Sequence, residues 1–233
     1  ETWATVKHWL AANERLFDVN LAFQALLFWL ALAAATDAPL HIWPRDFIEG
    51  EARAFADPTD YRLAGPDETA VDHAAVHARC RAGQASGLFV EREIKLQDHP
   101  ILEWRWRVDD IFEDLDETSK AGDDYPARIY VVAERWPRFR SRVINYVWSS
   151  AQPENQTWEN AFAAQFQMVA VRSGQADLGR WVEERRNVRD DFRRLHGIEP
   201  DVIDAVAIMT DCDNAGQQTN AWYGPVKWLP DDR

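Results

Sequence analysis

The chain has 233 residues, 12 of them tryptophan, and 26 basic against 39 acidic residues give it a formal charge of −13. An acidic field of this size repels phosphate backbones, which argues against nucleic acid and against anionic membrane surfaces as partners. It is compatible with neutral glycans, cations or basic partners. Apolar residues make up 46% of the chain, which is enough to build a sizeable core.

The N-terminal segment differs in composition from the rest. Residues 1–38 contain neither Gly nor Pro, and an almost continuous apolar run extends from Leu21 to Ala35. A run of this length is short for a membrane span and typical of a signal peptide. The small residues Ala33 and Ala35, directly before Thr36, match the pattern of a signal-peptide cleavage site. We therefore predict a leader over 1–38, export to the periplasm or beyond, and no stable membrane span in the mature chain. A structural N-terminal helix is the alternative.

The body of the chain, residues 39–233, alternates apolar and polar residues. Leu102, Trp104, Trp106 and Val108 alternate with charged residues, which is typical of a half-buried strand. The same alternation recurs in segments 128–132, 144–148, 168–172, 181–185, 203–210 and 221–228. Many short strands separated by turns predict an all-β fold, here one antiparallel β-sandwich of jelly-roll type.

One helix interrupts the predicted strands. Val188 to His196 places Phe192 and Leu195 on one face, Asn187 is a candidate N-cap, and Gly197 is placed to end the helix. The stretch 67–82 fits neither period clearly.

The two cysteines, Cys80 and Cys212, lie outside any zinc-ligand spacing, so a zinc site is not expected. In an exported chain they are able to form a disulfide. Two buried thiols that act as small hydrophobic groups are the alternative.

Two acidic turns carry the candidate site residues. Asp123 and Asp124 precede one predicted strand, and Asp211, Asp213 and Asn214 follow another. Carboxylates in such positions supply oxygen ligands to calcium or hydrogen bonds to sugar hydroxyls. They also serve as ordinary turn residues that bind their own backbone.

The two acidic turns are predicted to meet, because antiparallel neighbours place the start of one strand beside the end of the other. Four crowded carboxylates would then need a calcium ion, an arginine such as Arg128, or a bound proton to offset their repulsion. Asp123, Asp124, Asp211 and Asp213 are therefore candidate calcium ligands.

Aromatic residues supply the second half of the predicted site. Indole rings stack on sugars, and the candidates for such exposed rings are Trp148, Trp181, Trp222 and Tyr223. Core packing is the alternative for each of them, and Trp104 and Trp106 are predicted to be core. Because Trp222 and Tyr223 are adjacent in a strand, at least one of them is expected to point away from the core.

The chain resembles a bacterial family known as domain of unknown function 3047. The resemblance rests on four blocks, namely residues 84–88, 102–106, 120–132 and 207–228. Trp181 and residues 186–188 precede the last block and belong to it. The family usually has Thr where this chain has Cys212 and Asp where it has Pro225, so a loop carboxylate is lost and a family-wide disulfide is not expected. The resemblance implies export and a β-rich fold, and it implies no activity. The closing strand, with its acidic loop and aromatic pair, is also similar to the last strand of many carbohydrate-binding sandwiches.

Three functions are compatible with these residues. The first is non-catalytic glycan binding at a surface made by Trp222, Tyr223 and the two acidic turns, with Arg128 and Asn214 beside them. The second is a glycoside hydrolase or polysaccharide lyase that uses a carboxylate pair. The third is a structural protein of the cell envelope without a ligand. The sequence leaves the oligomeric state open.

Overall fold

Short strands make up most of the regular structure. The structure is a computed structural model, and it describes residues 38–231. Its strands are β1 (Leu40–Ile42), β2 (Glu51–Ala54), β3 (Asp60–Ala64), β4 (Ala75–Cys80), β5 (Ala85–Lys95), β6 (Ile101–Val108), β7 (Ala127–Ala133), β8 (Arg142–Ser149), β9 (Thr157–Glu159), β10 (Phe166–Ser173), β11 (Val182–Asn187), β12 (Val202–Asp211) and β13 (Thr219–Leu229). Every segment with predicted period-two alternation coincides with a strand. The predicted leader, apart from Ala38, lies outside the described residues.

The strands form two sheets. Sheet A has the order β11-β6-β13-β4-β3, and β1 pairs with β13 beside it. Sheet B has the order β2-β5-β12-β7-β8-β10-β9. The predicted antiparallel pairing holds throughout with one exception, since β8 and β10 run parallel with Phe166 opposite Val143. A parallel pair needs a crossover connection, and the segment that contains β9 supplies it.

The inner faces of the two sheets share one hydrophobic core, so the all-β sandwich prediction is confirmed. Trp104 packs against Tyr146 with ring centroids 5.4 Å apart, and Trp106 packs against Trp148 at 6.0 Å. All four rings are buried, as predicted for Trp104 and Trp106. Trp148 is therefore a core residue and does not offer an exposed ring. Tryptophans on facing strands fill the space between the sheets, which in part explains their abundance.

Within residues 38–231, three α-helices lie at the margins of the sandwich: α1 (Pro44–Glu49), α2 (Pro66–Thr69) and α3 (Val188–His196). Helix α3 has the predicted bounds. The Asn187 side chain accepts a hydrogen bond from the backbone N–H of Asp190, and Gly197 ends the helix with a φ of 65° that favours glycine. The sequence did not predict α1 and α2, because both are too short to show a helical period. No helix among the described residues is long and apolar enough to cross a membrane.

A disulfide joins the two sheets at one end of the sandwich. Cys80 ends β4 in sheet A, Cys212 follows β12 in sheet B, and their Cα atoms lie 6.2 Å apart. The bond confirms the first of the two alternatives for the cysteines. The alternative of two buried free thiols is wrong, because the fold brings together two residues that are 132 positions apart in sequence.

Candidate functional site

The two acidic turns meet at the end of sheet B, as predicted. Strands β7 and β12 are antiparallel neighbours, with Arg128 opposite Met209. The backbone N–H of Tyr125 donates to Asp211 Oδ1 at 3.2 Å, and the backbone N–H of Asp211 donates to the Tyr125 carbonyl at 3.3 Å. This pairing continues the β7–β12 contact beyond both strands, and it holds the two turns side by side. We call Asp123, Asp124, Asp211 and Asp213 the acidic cluster.

Arg128 supplies the positive charge that the acidic cluster requires. Its guanidinium forms an ion pair with Asp211, and the two side chains are 4% and 3% exposed. The guanidinium carbon lies 4.9 Å from the centre of the Tyr125 ring and 5.6 Å from that of Tyr130. A buried arginine enclosed by aromatic rings and a carboxylate is held in one position. Of the three predicted ways to offset the repulsion, the arginine is the one that the structure shows.

The two neighbouring carboxylates are held by protein donors. Asp124 accepts hydrogen bonds from Asn214 Nδ2 at 3.2 Å and from the backbone N–H of Ala215. Asp123 Oδ1 accepts one from Asn160 Nδ2 at 2.7 Å. Burial raises the pKa of Asp124, and the two donors only partly oppose this effect. These bonds connect the turn before β7 to the turns after β12 and β9.

Three carboxylates of the cluster are close enough to share a metal ion. One oxygen each of Asp124, Asp211 and Asp213 lies within 4.8 Å of the others. Calcium takes about six to eight oxygen ligands. Asp211 is already bound by Arg128 and Asp124 by two donors, so Asp213, which is exposed, is the carboxylate least engaged. The calcium site stays a prediction: three of its four predicted ligands come together, and Asp123 is not among these three.

The aromatic pair, Trp222 and Tyr223, does not form one surface with the acidic cluster. Tyr223 is buried between the sheets, and its hydroxyl donates to the Met209 carbonyl at 2.6 Å. Trp222 points to the opposite side of β13, where its ring stacks on His77 at 3.9 Å and Arg107 lies over it at 5.8 Å. One residue of the pair thus points away from the core, as expected. The predicted single surface does not form, because neighbouring side chains in a strand face opposite ways.

Trp181, the remaining candidate for an exposed ring, is partly buried at the start of β11. Its indole N–H donates to the Thr69 carbonyl at 3.1 Å. The most exposed indole among the described residues is Trp136, at 87% exposure, and Trp43 follows at 50%. Sequence reasoning missed both, since neither lies in a strand where alternation would assign it to a face.

Glu117 is a buried acid that the sequence did not single out. It is fully buried, and it accepts hydrogen bonds from the Ser149 hydroxyl and from the backbone N–H groups of Ser150 at 2.6 Å and Gln152 at 3.3 Å. Burial raises the pKa of Glu117 against the opposing effect of these donors. The carboxylate connects two loops at the end of sheet B, and nothing in the surrounding sequence distinguishes it from the other acids.

Asn145 is the second residue that the sequence did not reveal. It lies in β8 between Ile144 and Tyr146, which point into the core, so its side chain lies on the outer face of sheet B. It is 0% exposed, and neither its Nδ2 nor its Oδ1 has a hydrogen-bond partner. Burial of a polar group without a partner is costly, and such groups in folded proteins call for an explanation.

The surroundings of Asn145 are aromatic or otherwise apolar. Its register partners are Tyr130 in β7 and Met168 in β10, both buried. The same face of sheet B carries an apolar cluster of Ala85, Phe89, Tyr130, Val143, Ala207 and Met209, with Phe166 packed against it. An apolar surface with a few fixed polar groups is typical of small-molecule sites. Arg128 and Asp211 lie on this face as well, toward the acidic cluster.

The comparisons with known proteins define the family. The chain belongs to the family described as "Protein of unknown function (DUF3047)", whose model matches residues 49–227. This confirms the resemblance seen in the sequence. No curated protein matches the chain.

Solved structures align with the chain at low similarity. The glycoside hydrolase domain of Endo-D from Streptococcus pneumoniae R6 aligns with a TM-score of 0.42 and 8% identity over 78% of this chain and 22% of that chain. The family 11 carbohydrate-binding module of Lic26A-Cel5E from Clostridium thermocellum aligns with a TM-score of 0.41 and 8% identity over 83% and 95%. The endoglucanase Cel12A from Rhodothermus marinus aligns with a TM-score of 0.39 and 12% identity over 82% and 100%. These values describe a loose likeness of fold.

Proposed function

We propose that this protein is exported and binds a glycan, without cleaving it, on the outer face of sheet B around Asn145. The observation that carries the proposal is the buried amide of Asn145, which has neither a donor nor an acceptor partner. A ligand that offers both kinds of group would relieve the cost of burying this amide.

Sugars match this requirement. Adjacent hydroxyls of a pyranose offer a donor and an acceptor at the spacing of a side-chain amide, and the C–H faces of the ring pack on aromatic groups. Tyr130 and Met168 flank Asn145 on neighbouring strands and supply such apolar groups. All three residues are buried, so a glycan would reach them only once the groups that cover this face had moved. The acidic cluster favours neutral over acidic glycans, because its formal charges repel a uronate.

Export is supported by the disulfide between Cys80 and Cys212. Disulfides form and persist in oxidising compartments and are rare in the cytosol. N-terminal sequencing of the protein recovered from the periplasm or medium should find a start near Thr36. A chain that remains intact in the cytoplasm would contradict the export proposal and leave glycan binding to be judged separately.

Cleavage of the glycan is the second candidate, because Asp124, Asp211 and Asp213 approach one another. Glycosidases need one carboxyl group as acid and a second as base or nucleophile, about 5–9 Å apart. Here Asp211 is bound by Arg128 and Asp124 by Asn214 and Ala215, so neither carboxylate is free to exchange a proton with a substrate. This arrangement favours a structural role for both.

The decisive experiment combines a glycan array with calorimetry and an assay of reducing-sugar release. We expect binding to neutral glycans, no release of reducing ends, and at least a tenfold loss of affinity for Asn145→Leu, since about 1.4 kcal/mol corresponds to tenfold. Asn220→Leu is the matched control, because Asn220 lies on the outer face of sheet A, where it contacts His77. Sugar release that Asp124→Asn abolishes would overturn the binding proposal in favour of the enzyme.

A further inference from the structure

A basic and aromatic loop connects β7 to β8. Residues 134–142 read Glu-Arg-Trp-Pro-Arg-Phe-Arg-Ser-Arg, with four arginines and one glutamate in a protein whose formal charge is −13. We call this segment the basic aromatic tip. It lies at the end of sheet B opposite the acidic cluster, because β7 starts at the cluster and ends at the tip. Neither the fold nor the glycan proposal accounts for its composition.

The two aromatic side chains of the tip are exposed to solvent. Trp136 is 87% exposed and Phe139 is 74% exposed, the highest values among the large hydrophobic residues that the structure describes. Two large rings exposed in one short loop add apolar surface of the kind that marks interaction sites. Trp and Phe also stand next to arginines, so the surface is amphipathic rather than purely apolar.

The tip has a defined backbone conformation. The backbone N–H of Arg135 donates to the Ser141 hydroxyl at 3.0 Å, which closes the base of the loop. The backbone N–H of Arg140 donates to the Pro137 carbonyl at 2.8 Å within a single turn. Trp136 and Phe139 are therefore presented by a closed loop, and less conformational entropy is lost when they bind.

In the described part of the chain, two arginines of the tip carry a positive charge without an acidic partner. Arg135 and Arg140 are exposed, and within residues 38–231 neither forms an ion pair, whereas arginines such as Arg105 are paired with carboxylates. Charges separated by more than about 8 Å are largely screened at physiological ionic strength. A surface that approaches the tip therefore meets its local positive charge, although the whole chain is acidic.

We propose that the basic aromatic tip docks on the surface of an anionic lipid bilayer. Trp and Phe are residues that enter the interfacial region, and arginines near an anionic surface strengthen the attraction to it. A loop tip fits a flat surface better than it fits a polysaccharide chain, which needs a groove or an extended row of rings. The proposal is independent of the glycan site, which lies around Asn145 on the face of the sheet.

The test measures where Trp136 lies when the full chain meets vesicles. Because the run from Leu21 to Ala35 is itself apolar, binding is compared only between variants that share it. Brominated lipids quench tryptophans that enter the bilayer, so the quenching that Trp136→Phe removes belongs to Trp136. We expect this difference in vesicles with 30% phosphatidylglycerol and its loss in pure phosphatidylcholine or in 0.5 M salt. A Trp136 contribution of zero with anionic vesicles would overturn the proposal.

Two further variants separate charge from apolar contact. Arg135→Ser/Arg140→Ser is expected to abolish the quenching of Trp136 at physiological salt, and Phe139→Ser to reduce it at least threefold. Trp43→Phe is the matched control, because Trp43 is exposed but lies beside helix α1, and it should leave the Trp136 contribution unchanged. An equal loss of Trp136 quenching in Trp43→Phe would overturn the proposal. Binding of the tip to an acidic polysaccharide but not to vesicles would overturn it as well.

Discussion

The outer faces of the two sheets differ in the exposure of their polar side chains and in the partners that these side chains have. On sheet A, Arg105 pairs with Glu183 at 2.8 Å with both side chains 46% exposed, and Trp222 lies between His77 and Arg107. On sheet B, the Arg128–Asp211 pair is almost fully buried and Asn145 has no partner. The ion pair of the first face is open to solvent. Among the described residues, Asn145 on the second face is the side chain whose donor and acceptor both lack partners, whereas beside sheet A single ring nitrogens of His41 and His73 lack one. This difference supports the proposal that the ligand binds on sheet B.

The largest effect is expected at the bond that joins the two sheets. Replacing both Cys80 and Cys212 by Ala removes a cross-link between residues 132 positions apart, which should lower the free energy of unfolding by about 4–5 kcal/mol. Urea denaturation of both proteins measures the change. An unchanged midpoint would show that the disulfide contributes nothing to holding the sheets together.

Arginine substitutions test the contrast between the faces directly. Arg128→Ala leaves Asp211 buried without its partner and should cost about 3–5 kcal/mol. The matched change Arg105→Ala removes an ion pair that water can replace, and it should cost about 1 kcal/mol or less. Similar losses for the two variants, measured by chemical denaturation, would remove the distinction between the faces.

Substitution of Asn145 should act in the opposite direction. Leu has nearly the same size and no polar atoms, so Asn145→Leu should stabilise the ligand-free protein by about 1–2 kcal/mol, which raises the Tm by a few degrees. Increased stability with lost glycan binding is the signature of a residue kept for its ligand. A lower Tm would instead indicate that the amide serves the fold.

The pH dependence of stability reports on sheet A. Burial lowers the pKa of His77, and the hydrogen bond with Asn220 only partly offsets this effect. Since the folded pKa is depressed, the contribution of His77 is present above the unfolded value of about 6.5 and is lost as the pH falls through the folded value. Tm values between pH 7.5 and 5 should therefore fall less steeply in His77→Gln. An identical slope would contradict this assignment.

The smallest effect concerns calcium. Because Arg128 already offsets the acidic cluster, removal of calcium by EDTA should leave the thermal midpoint within about 0.5 °C. A rise of several degrees on addition of calcium, lost in Asp213→Asn, would establish that the cluster binds the ion in addition to the arginine.

Much of this architecture could be predicted from the sequence, for a physical reason. Strand β6 alternates regularly because one face packs on the core, and α3 carries its own cap residues at Asn187 and Gly197. The early strands were harder to predict. Strand β2 is exposed along its whole length and β4 is buried at most positions, so neither shows a clear period of two.

The site was predicted only in part. That the acidic turns meet follows from antiparallel pairing of β7 and β12, which the sequence made plausible. The role of Asn145 could not be predicted, because an asparagine in a strand shows neither its burial nor its missing partners. The separation of Trp222 from the acidic cluster depends on which sheet each strand joins, and local alternation does not contain that information.

The position of β13 has a consequence for the order of folding. This strand, at residues 219–229, lies inside sheet A and pairs with β1, β4 and β6. Until it has been synthesised, β4 and β6 have no neighbour along the edges that β13 later occupies, and sheet A cannot close. Unpaired strand edges are prone to aggregation, and contacts so distant in sequence form slowly. The emerging chain should therefore stay unfolded and depend on chaperones until residue 229 is available, which also suits passage through a translocation channel before folding.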